Sequence, residues 1–304
     1  MKQTVGLVGL GIMGGAYARN LLSKGFEVVG FDVDADRRRA LEALGLRAAT
    51  SPCDVARQCD CVVTSLPSPA AFHAVMTGPN GLVEAGRDVV VADTSTLALT
   101  DKEQAHQALA AAGVTLLDCP VSGTGAQAAK ADLVFFASGE KAAYERLRPA
   151  LLAMGRVAHH LGAFGNGSRM KYVANLLVAI HNVSTAEAMA FGMKAGIAPE
   201  TIYDVLCGSA ATSRILEVRG PMMVRNSYDD NVSATFLTMA KDLSVIGQYA
   251  QSIDCPTPLF SLASNIHAAA VAQGMEMSDT AAVCAVMERL AGVDRSQVPP
   301  PSHS

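Results

Sequence analysis

Tryptophan is absent from this 304-residue chain and aromatic residues make up only 5% of it, so any core must be built mainly from aliphatic side chains and the 13 methionines. Charge is sparse too. Charged residues account for 17%, with Lys+Arg 24 against Asp+Glu 28 and a net charge of −4, which lacks the basic excess of a nucleic-acid binder. A small anionic substrate would have to be drawn by local groups rather than by the overall field. The seven cysteines (53, 59, 61, 119, 207, 255 and 284) are odd in number and scattered without paired C-x-x-C spacing. They read as reduced, mostly buried thiols rather than a disulfide framework, and with the histidines dispersed no metal site is expected. His159-His160 reads as a strand pair. Apolar runs such as 176–180 are too short to span a bilayer, and the chain opens on a strand rather than on a basic region with a cleavable apolar segment. The expectation is a soluble, cytoplasmic protein without a membrane or nucleic-acid partner. Half of the residues are hydrophobic, which at this length allows two domains with separate cores.

The most informative segment is Val5-Gly6-Leu7-Val8-Gly9-Leu10-Gly11-Ile12-Met13-Gly14, a short apolar strand that runs into G-x-G-x-x-G at a helix start. Gly9 permits a tight turn, Gly11 a close approach of backbone to phosphate, and Gly14 close packing of helix on strand. The helix N-terminus offers N–H groups and the positive end of a dipole to a pyrophosphate. A second strand, 27–31, ends in Asp32, about twenty residues beyond the glycines. A carboxylate there accepts from ribose hydroxyls and repels a 2′-phosphate, which favours NAD over NADP. Arg37, Arg38 and Arg39 follow and read as the solvated face of the next helix, although a 2′-phosphate is an alternative use for them.

From residue 4 to about 163, β-rich runs alternate with amphipathic segments, the pattern of a parallel sheet wrapped by helices. Strands are expected at 4–8, 27–31, 61–65, 89–93, 115–118, 133–138 and 156–161, and helices near 14–24, 35–44, 69–76, 100–112 and 140–153. Ligands of such sheets bind beyond the carboxyl ends of the strands. That rule selects Leu66-Pro67-Ser68, Thr94-Ser95-Thr96, Pro120 to Thr124 and the turn after Phe31. Beyond Gly165-Asn166-Gly167 the pattern becomes helical, with a first helix expected over 168–195 that stops at Gly196. Further helices are expected around 199–206, 209–226, 233–253, 257–273 and 278–291. The fold class expected is an α/β Rossmann-type N-terminal domain (1–163) joined by a long helix to an all-α domain (164–294), with a frayed tail over 295–304.

Lys171 and Asn175 lie four residues apart on that long helix and share a face, which Asn182 continues, while most of the other side chains there are apolar. A lysine in such surroundings either snorkels to water from near the helix start or carries chemistry.

Taken in order, Gly9-Leu10-Gly11-Ile12-Met13-Gly14, Asp118-Cys119-Pro120-Val121-Ser122-Gly123, Gly165-Asn166-Gly167 with Lys171-Tyr172-Val173-Ala174-Asn175, and Lys241-Asp242-Leu243 closely resemble the four sequence signatures of the β-hydroxyacid dehydrogenases. The resemblance spans nearly the whole chain. It implies a cofactor loop at Gly9 to Gly14, Leu66 and Pro67 against the dinucleotide, and Thr96 near the nicotinamide. It further implies that Ser122, Gly123 and Thr124 hold a substrate carboxylate, that Asn175 orients the substrate, that Lys171 is the acid/base, and that Lys241 closes over the site. An amine that titrates at about 10.4 in water serves near neutral pH only where burial and a neighbouring cation disfavour the ammonium.

The family commonly has a second glycine where this chain has Thr124, so a pocket changed toward a polar substituent is expected. Arg214 and Phe236 are further candidate lining residues, although a surface arginine and a core phenylalanine are the commoner cases. The activity implied is hydride transfer between a small anionic 3-hydroxy acid and NAD, in a homodimer or homotetramer. Two alternatives are an imine reductase on the same scaffold, whose members usually replace the lysine, and a catalytically silent NAD-binding module. Retention of Ser122, Lys171 and Asn175 speaks against both.

Overall fold

The computed structural model describes residues 3–230 and 232–299, and it divides into two compact units, Met1–Lys171 and Tyr172–Ser304. In the first unit the chain runs β1 (Thr4–Val8), α1 (Ile12–Ser23), β2 (Glu27–Phe31), α2 (Ala35–Glu42), β3 (Arg47–Ala48), α3 (Pro52–Gln58), β4 (Cys61–Thr64), α4 (Pro69–Met76), β5 (Val89–Asp93), α5 (Leu99–Ala111) and β6 (Val114–Asp118). It continues through β7 (Val121–Ser122), α6 (Gly125–Ala129), β8 (Val134–Ala137), α7 (Lys141–Met154) and β9 (Val157–His160).

Six strands form a parallel sheet in the order β3-β2-β1-β4-β5-β6. The chain leaves β1 toward one edge and returns toward the other at β4, so the carboxyl ends of β1 and β4 flank a topological switch point. Central strands covered on both faces need continuous apolar runs, and β4 and β5 are buried along their whole length.

The strands expected at 133–138 and 156–161 form, but not in the parallel sheet. They are β8 and β9 of a separate three-stranded sheet, in which β7 pairs antiparallel with β8. Pro120, which has no N–H to donate, follows β6 at the point where the chain changes sheets. Helix α3 was not expected, yet Ser51 caps it by accepting from the Asp54 N–H and Pro52 stands at its first turn.

Helix α8 (Asn166–Lys194) is followed by α9 (Pro199–Cys207), α10 (Arg214–Arg225), α11 (Phe236–Ser252), α12 (Pro258–Ala272) and α13 (Val283–Ala291). Gly196, at φ +84°, stops α8 as its sequence suggests. By length and composition α8 is apolar enough to cross a membrane. Within the second unit, however, Ala179, Val183, Ala186, Ala190 and Met193 recur at helical spacing as its buried face. That face packs in a core with Met222, Met223, Phe236 and Phe260. The stretch assigned to a frayed tail is ordered at its start. Arg295–Gln297 forms a 3-10 turn, and Arg295 donates to the Met223 and Val224 carbonyls and pairs with Glu288. Residues 300–304 lie outside the described residues.

Candidate active site

Gly9 turns the chain between β1 and α1 at φ +87°, and a Cβ on it would stand 2.2 Å from the Ser65 carbonyl oxygen. At Gly14 a Cβ would stand 1.8 Å from the Gly9 carbonyl oxygen. The protein's own packing therefore requires both. Gly11 differs: the nearest atom to a Cβ there is an Arg37 guanidinium nitrogen at 3.6 Å, so this face of the turn is open. Gly11 is also the N-cap of α1, which has no side-chain cap and no acidic residue in its first turn. An open, uncapped helix N-terminus beside a glycine fits a pyrophosphate.

The flanks of the turn fit the rest of a dinucleotide. Ile12, the first residue of α1, is 80% exposed and Val33, on the loop after β2, is 89% exposed, apolar side chains left in solvent. Asp32 is buried between them in sequence, with Oδ2 accepting from the Leu10 N–H at 2.6 Å and Oδ1 from the Asp34 N–H at 2.8 Å. Each oxygen keeps a further lone pair for a ribose hydroxyl. Helix α2 is capped by Asp34, not Asp32. The arginines are not simply a solvated face: Arg37 pairs with Asp32 and Asp34, and Arg38 donates to the Asp32 carbonyl and lies over the Phe31 ring. Val33 carried no signal beyond its place after the acid.

Beside Gly9, Leu66 lies with its Cδ2 3.3 Å from the position of a Cβ. The Leu66 N–H donates to Ser95 Oγ at 2.9 Å, and Ser95 donates to Asp93 Oδ1 at 2.7 Å. Pro67 is exposed and Thr96 half-buried on the loops after β4 and β5. The structure thus gathers the glycine turn, Asp32, Leu66 and, through a close approach of Gly125 to Ile12, the start of α6. Met13 packs against the core of this unit.

Ser122 ends β7 and is half-buried, and Gly123 follows at φ +138°. The expected pocket role of Thr124 needs correction. Its hydroxyl accepts from the Gln127 N–H while Gln127 Oε1 accepts from the Thr124 N–H, a reciprocal cap of α6. Its backbone is extended, which suits a β-branched residue, so the threonine is explained as a helix N-cap.

Sequence reasoning missed a buried ionic cluster behind these loops. Lys102, on α5, is fully buried, with Nζ 3.0 Å from Asp93 Oδ2 and 2.8 Å from Asp118 Oδ1. Burial opposes its charge, but Asp118 and Asp93 outweigh burial and hold the ammonium above the ordinary lysine range. Losing one partner of such a buried group costs about 3–5 kcal/mol. Asp118 also accepts from the Ser168 N–H at 2.6 Å and from Ser168 Oγ at 2.7 Å, which fixes the first turn of α8. The motif glycines serve the same seat: a Cβ on Gly167 would stand 2.2 Å from the Phe136 carbonyl oxygen. Because residues 167 and 168 are bound to Ser138 and Asp118, the first unit extends past 163 to Lys171.

Lys171 is buried at 9% exposure, so the snorkelling alternative does not hold. Asn175 stands one turn further along the same helix, in the second unit, and donates from Nδ2 to Asp242 Oδ2 at 2.8 Å. Lys241 Nζ is 3.7 Å from Asp242 Oδ1. Arg214 is exposed and pairs with Glu217 at 2.7 Å, while Phe236 is a core residue. All seven cysteines are free thiols, and among the described residues no cluster of metal-ligating side chains forms.

The chain is similar to known proteins along most of its length. Residues 4–162 match the family model for the NAD binding domain of 6-phosphogluconate dehydrogenase. Residues 165–287 match that for the NAD-binding domain of NADP-dependent 3-hydroxyisobutyrate dehydrogenase. An L-threonate dehydrogenase of Haemophilus influenzae is 34% identical over 92% of this chain and 93% of its own length. An NAD-dependent L-serine dehydrogenase of Pseudomonas aeruginosa is 33% identical over 93% of this chain and 97% of its own length. Among solved structures, a 3-hydroxyisobutyrate dehydrogenase of Mycobacterium tuberculosis with L-serine superposes with a TM-score of 0.86 at 28% identity, covering 94% of this chain and 99% of that one.

Proposed function

The chain belongs to the β-hydroxyacid dehydrogenases, nicotinamide-dependent oxidoreductases of small hydroxy acids, and we propose that it interconverts a short 3-hydroxy carboxylic acid and its aldehyde or ketone with Lys171 as the acid/base. The observation that carries the assignment of Lys171 is its burial on a helix whose first turn is clamped by Asp118. A lysine held in that way is a positioned proton carrier rather than a surface charge.

The cofactor, NAD in preference to NADP, is held by Gly9, Leu10, Gly11, Ile12, Met13 and Gly14, with Asp32 on the adenosine ribose and Leu66, Pro67, Thr96 and Lys241 along its length. When bound it supplies the hydride acceptor or donor. Ser122 and the adjoining Gly123 amide anchor the substrate carboxylate through O–H and N–H donors, while the Thr124 N–H stays with Gln127 in the cap of α6. Asn175 orients the carbinol. In oxidation the neutral Lys171 amine takes the hydroxyl proton as the carbinol carbon loses hydride and the carbonyl forms. In reduction the ammonium returns that proton to the forming alkoxide.

We further propose a cytoplasmic homodimer or homotetramer. Support comes from a groove of about 630 Å³ between α11 and α12, lined by small residues such as Ala240, Ser244, Gly247 and Ala268, and from exposed Leu259 and Leu262 on α12. A monodisperse monomer by light scattering at micromolar concentration removes this part.

The activity is tested by following NAD⁺ and NADP⁺ reduction across short 3-hydroxy acids, with Lys171→Ala in parallel. The expected result is activity with at least one such acid, a preference for NAD⁺, and loss of turnover by a factor of about 10² or more in the variant. Near-normal turnover in Lys171→Ala overturns the assigned base.

A further inference from the structure

Lys102 bridges two carboxylates that stand at the ends of adjacent strands, and each carboxylate reaches a different loop. Asp93, at the end of β5, accepts from Thr64 Oγ1 at 2.8 Å and from Ser95 Oγ at 2.7 Å, and Ser95 in turn accepts from the Leu66 N–H. Asp118, at the end of β6, accepts from both the N–H and the hydroxyl of Ser168, three residues before Lys171. Asp93, Lys102 and Asp118 are fully buried, and Ser95 and Ser168 are buried as well. A sheet-and-helix core has no need of an ammonium between two carboxylates. Apolar side chains of similar volume fill such space at equal or better stability.

We infer that Lys102 is a positioning residue for the reaction, setting through Asp93 the loop that carries Leu66 and Pro67 and through Asp118 the start of the helix that carries Lys171. The side-chain bonds form two arms that meet at the lysine, while the backbones of Asp93 and Asp118 pair directly in the sheet and are untouched by side-chain substitution. One arm holds the wall of the glycine-turn crevice, so it governs dinucleotide affinity. The other holds the base, so it governs turnover of the saturated enzyme. The second arm rests on the role proposed for Lys171, and the first does not.

The test separates the arms with single-atom deletions that leave the ion cluster whole. Ser95→Ala removes the acceptor of the Leu66 N–H, and Ser168→Ala removes one of the two bonds to Asp118. NADH affinity is read by fluorescence titration and kcat at saturating substrates. Ser95→Ala is expected to weaken NADH binding about tenfold with kcat within about twofold, and Ser168→Ala to lower kcat about tenfold with NADH affinity within about twofold. Lys102→Met, where it folds, is expected to show both defects. If the two serine variants lose both quantities together, or neither, the inference is overturned, as it is by a folded Lys102→Met with unchanged kinetics. Near-normal turnover in Lys171→Ala, by contrast, fails the assigned base alone, because the Ser95 arm is read by cofactor affinity.

Discussion

Asn175 Nδ2 donates to Asp242 Oδ2 at 2.8 Å, which fixes the orientation of its amide. An ionised carboxylate only accepts, so the NH₂ group must face Asp242 and the carbonyl oxygen must be the end turned away. Asn175 therefore offers an acceptor, the polarity that suits a substrate hydroxyl. Asp242→Ala is expected to raise the substrate KM about tenfold, the worth of one charge-assisted hydrogen bond, and to leave NADH affinity within about twofold. Asp242→Asn, which keeps an acceptor oxygen, should do less harm. An alanine variant with unchanged KM refutes the orienting role; the check is steady-state kinetics beside a fluorescence titration.

The three glycines of the turn should respond differently to alanine. At Gly9 and Gly14 the new methyl group would collide with backbone carbonyl oxygens, at Gly9 with a positive φ as well. Those variants are expected to lose stability by about 2 kcal/mol or more, visible as a lower Tm. Gly11→Ala meets nothing nearer than an arginine tip, so its Tm should stay close to the wild-type value while dinucleotide affinity falls at least tenfold. Equal Tm losses at all three positions would contradict a cofactor role for Gly11. Thermal melts with and without NADH separate the two classes.

How much of this was readable in advance depended on whether the signal was local. Five of the six strands of the parallel sheet, all but the two-residue β3, and the glycine turn declared themselves because β-rich runs and glycine spacing act over a few residues. Lys102 did not: it sits between Asp101 and Glu103 on α5, a run that reads as a solvated face, and its partners are Asp93 and Asp118 on neighbouring strands. Asp242 was visible as part of Lys241-Asp242-Leu243, but its bond crosses 67 residues to Asn175. Thr124 was misread for the opposite reason. Its departure from a glycine pattern suggested a ligand contact, whereas Gln127, three residues on, was the local sign of a capping box. The second sheet was missed because a strand of two residues, β7, has no periodicity to detect.

His267 makes stability fall on acidification through a sign that can be worked out from its partners. Its Nδ1 lies 2.9 Å from the Ala263 carbonyl oxygen, which can only accept, so the proton is on Nδ1 and Nε2 is left to accept from Asn182 Nδ2 at 3.5 Å. A second proton on Nε2 would face that donor inside the core. Burial foremost, with the Arg219 charge, holds His267 below the ordinary histidine range, against the opposing pull of the Ala263 carbonyl. The unfolded chain therefore binds a proton near pH 6.5 that the folded chain refuses. The contribution is fully present above about pH 6.5 and is lost as the pH falls below it, at no more than about 1.4 kcal/mol per pH unit. In Tm measurements from pH 7.5 to 5, wild type should fall more steeply than His267→Gln, whose side chain does not titrate. The glutamine variant starts from a lower Tm, since it gives up the ring packed edge-on against Phe236 at 5.6 Å, so the slope and not the height is diagnostic. Parallel slopes would mean that the imidazole accepts its proton in the folded state as readily as in the unfolded one.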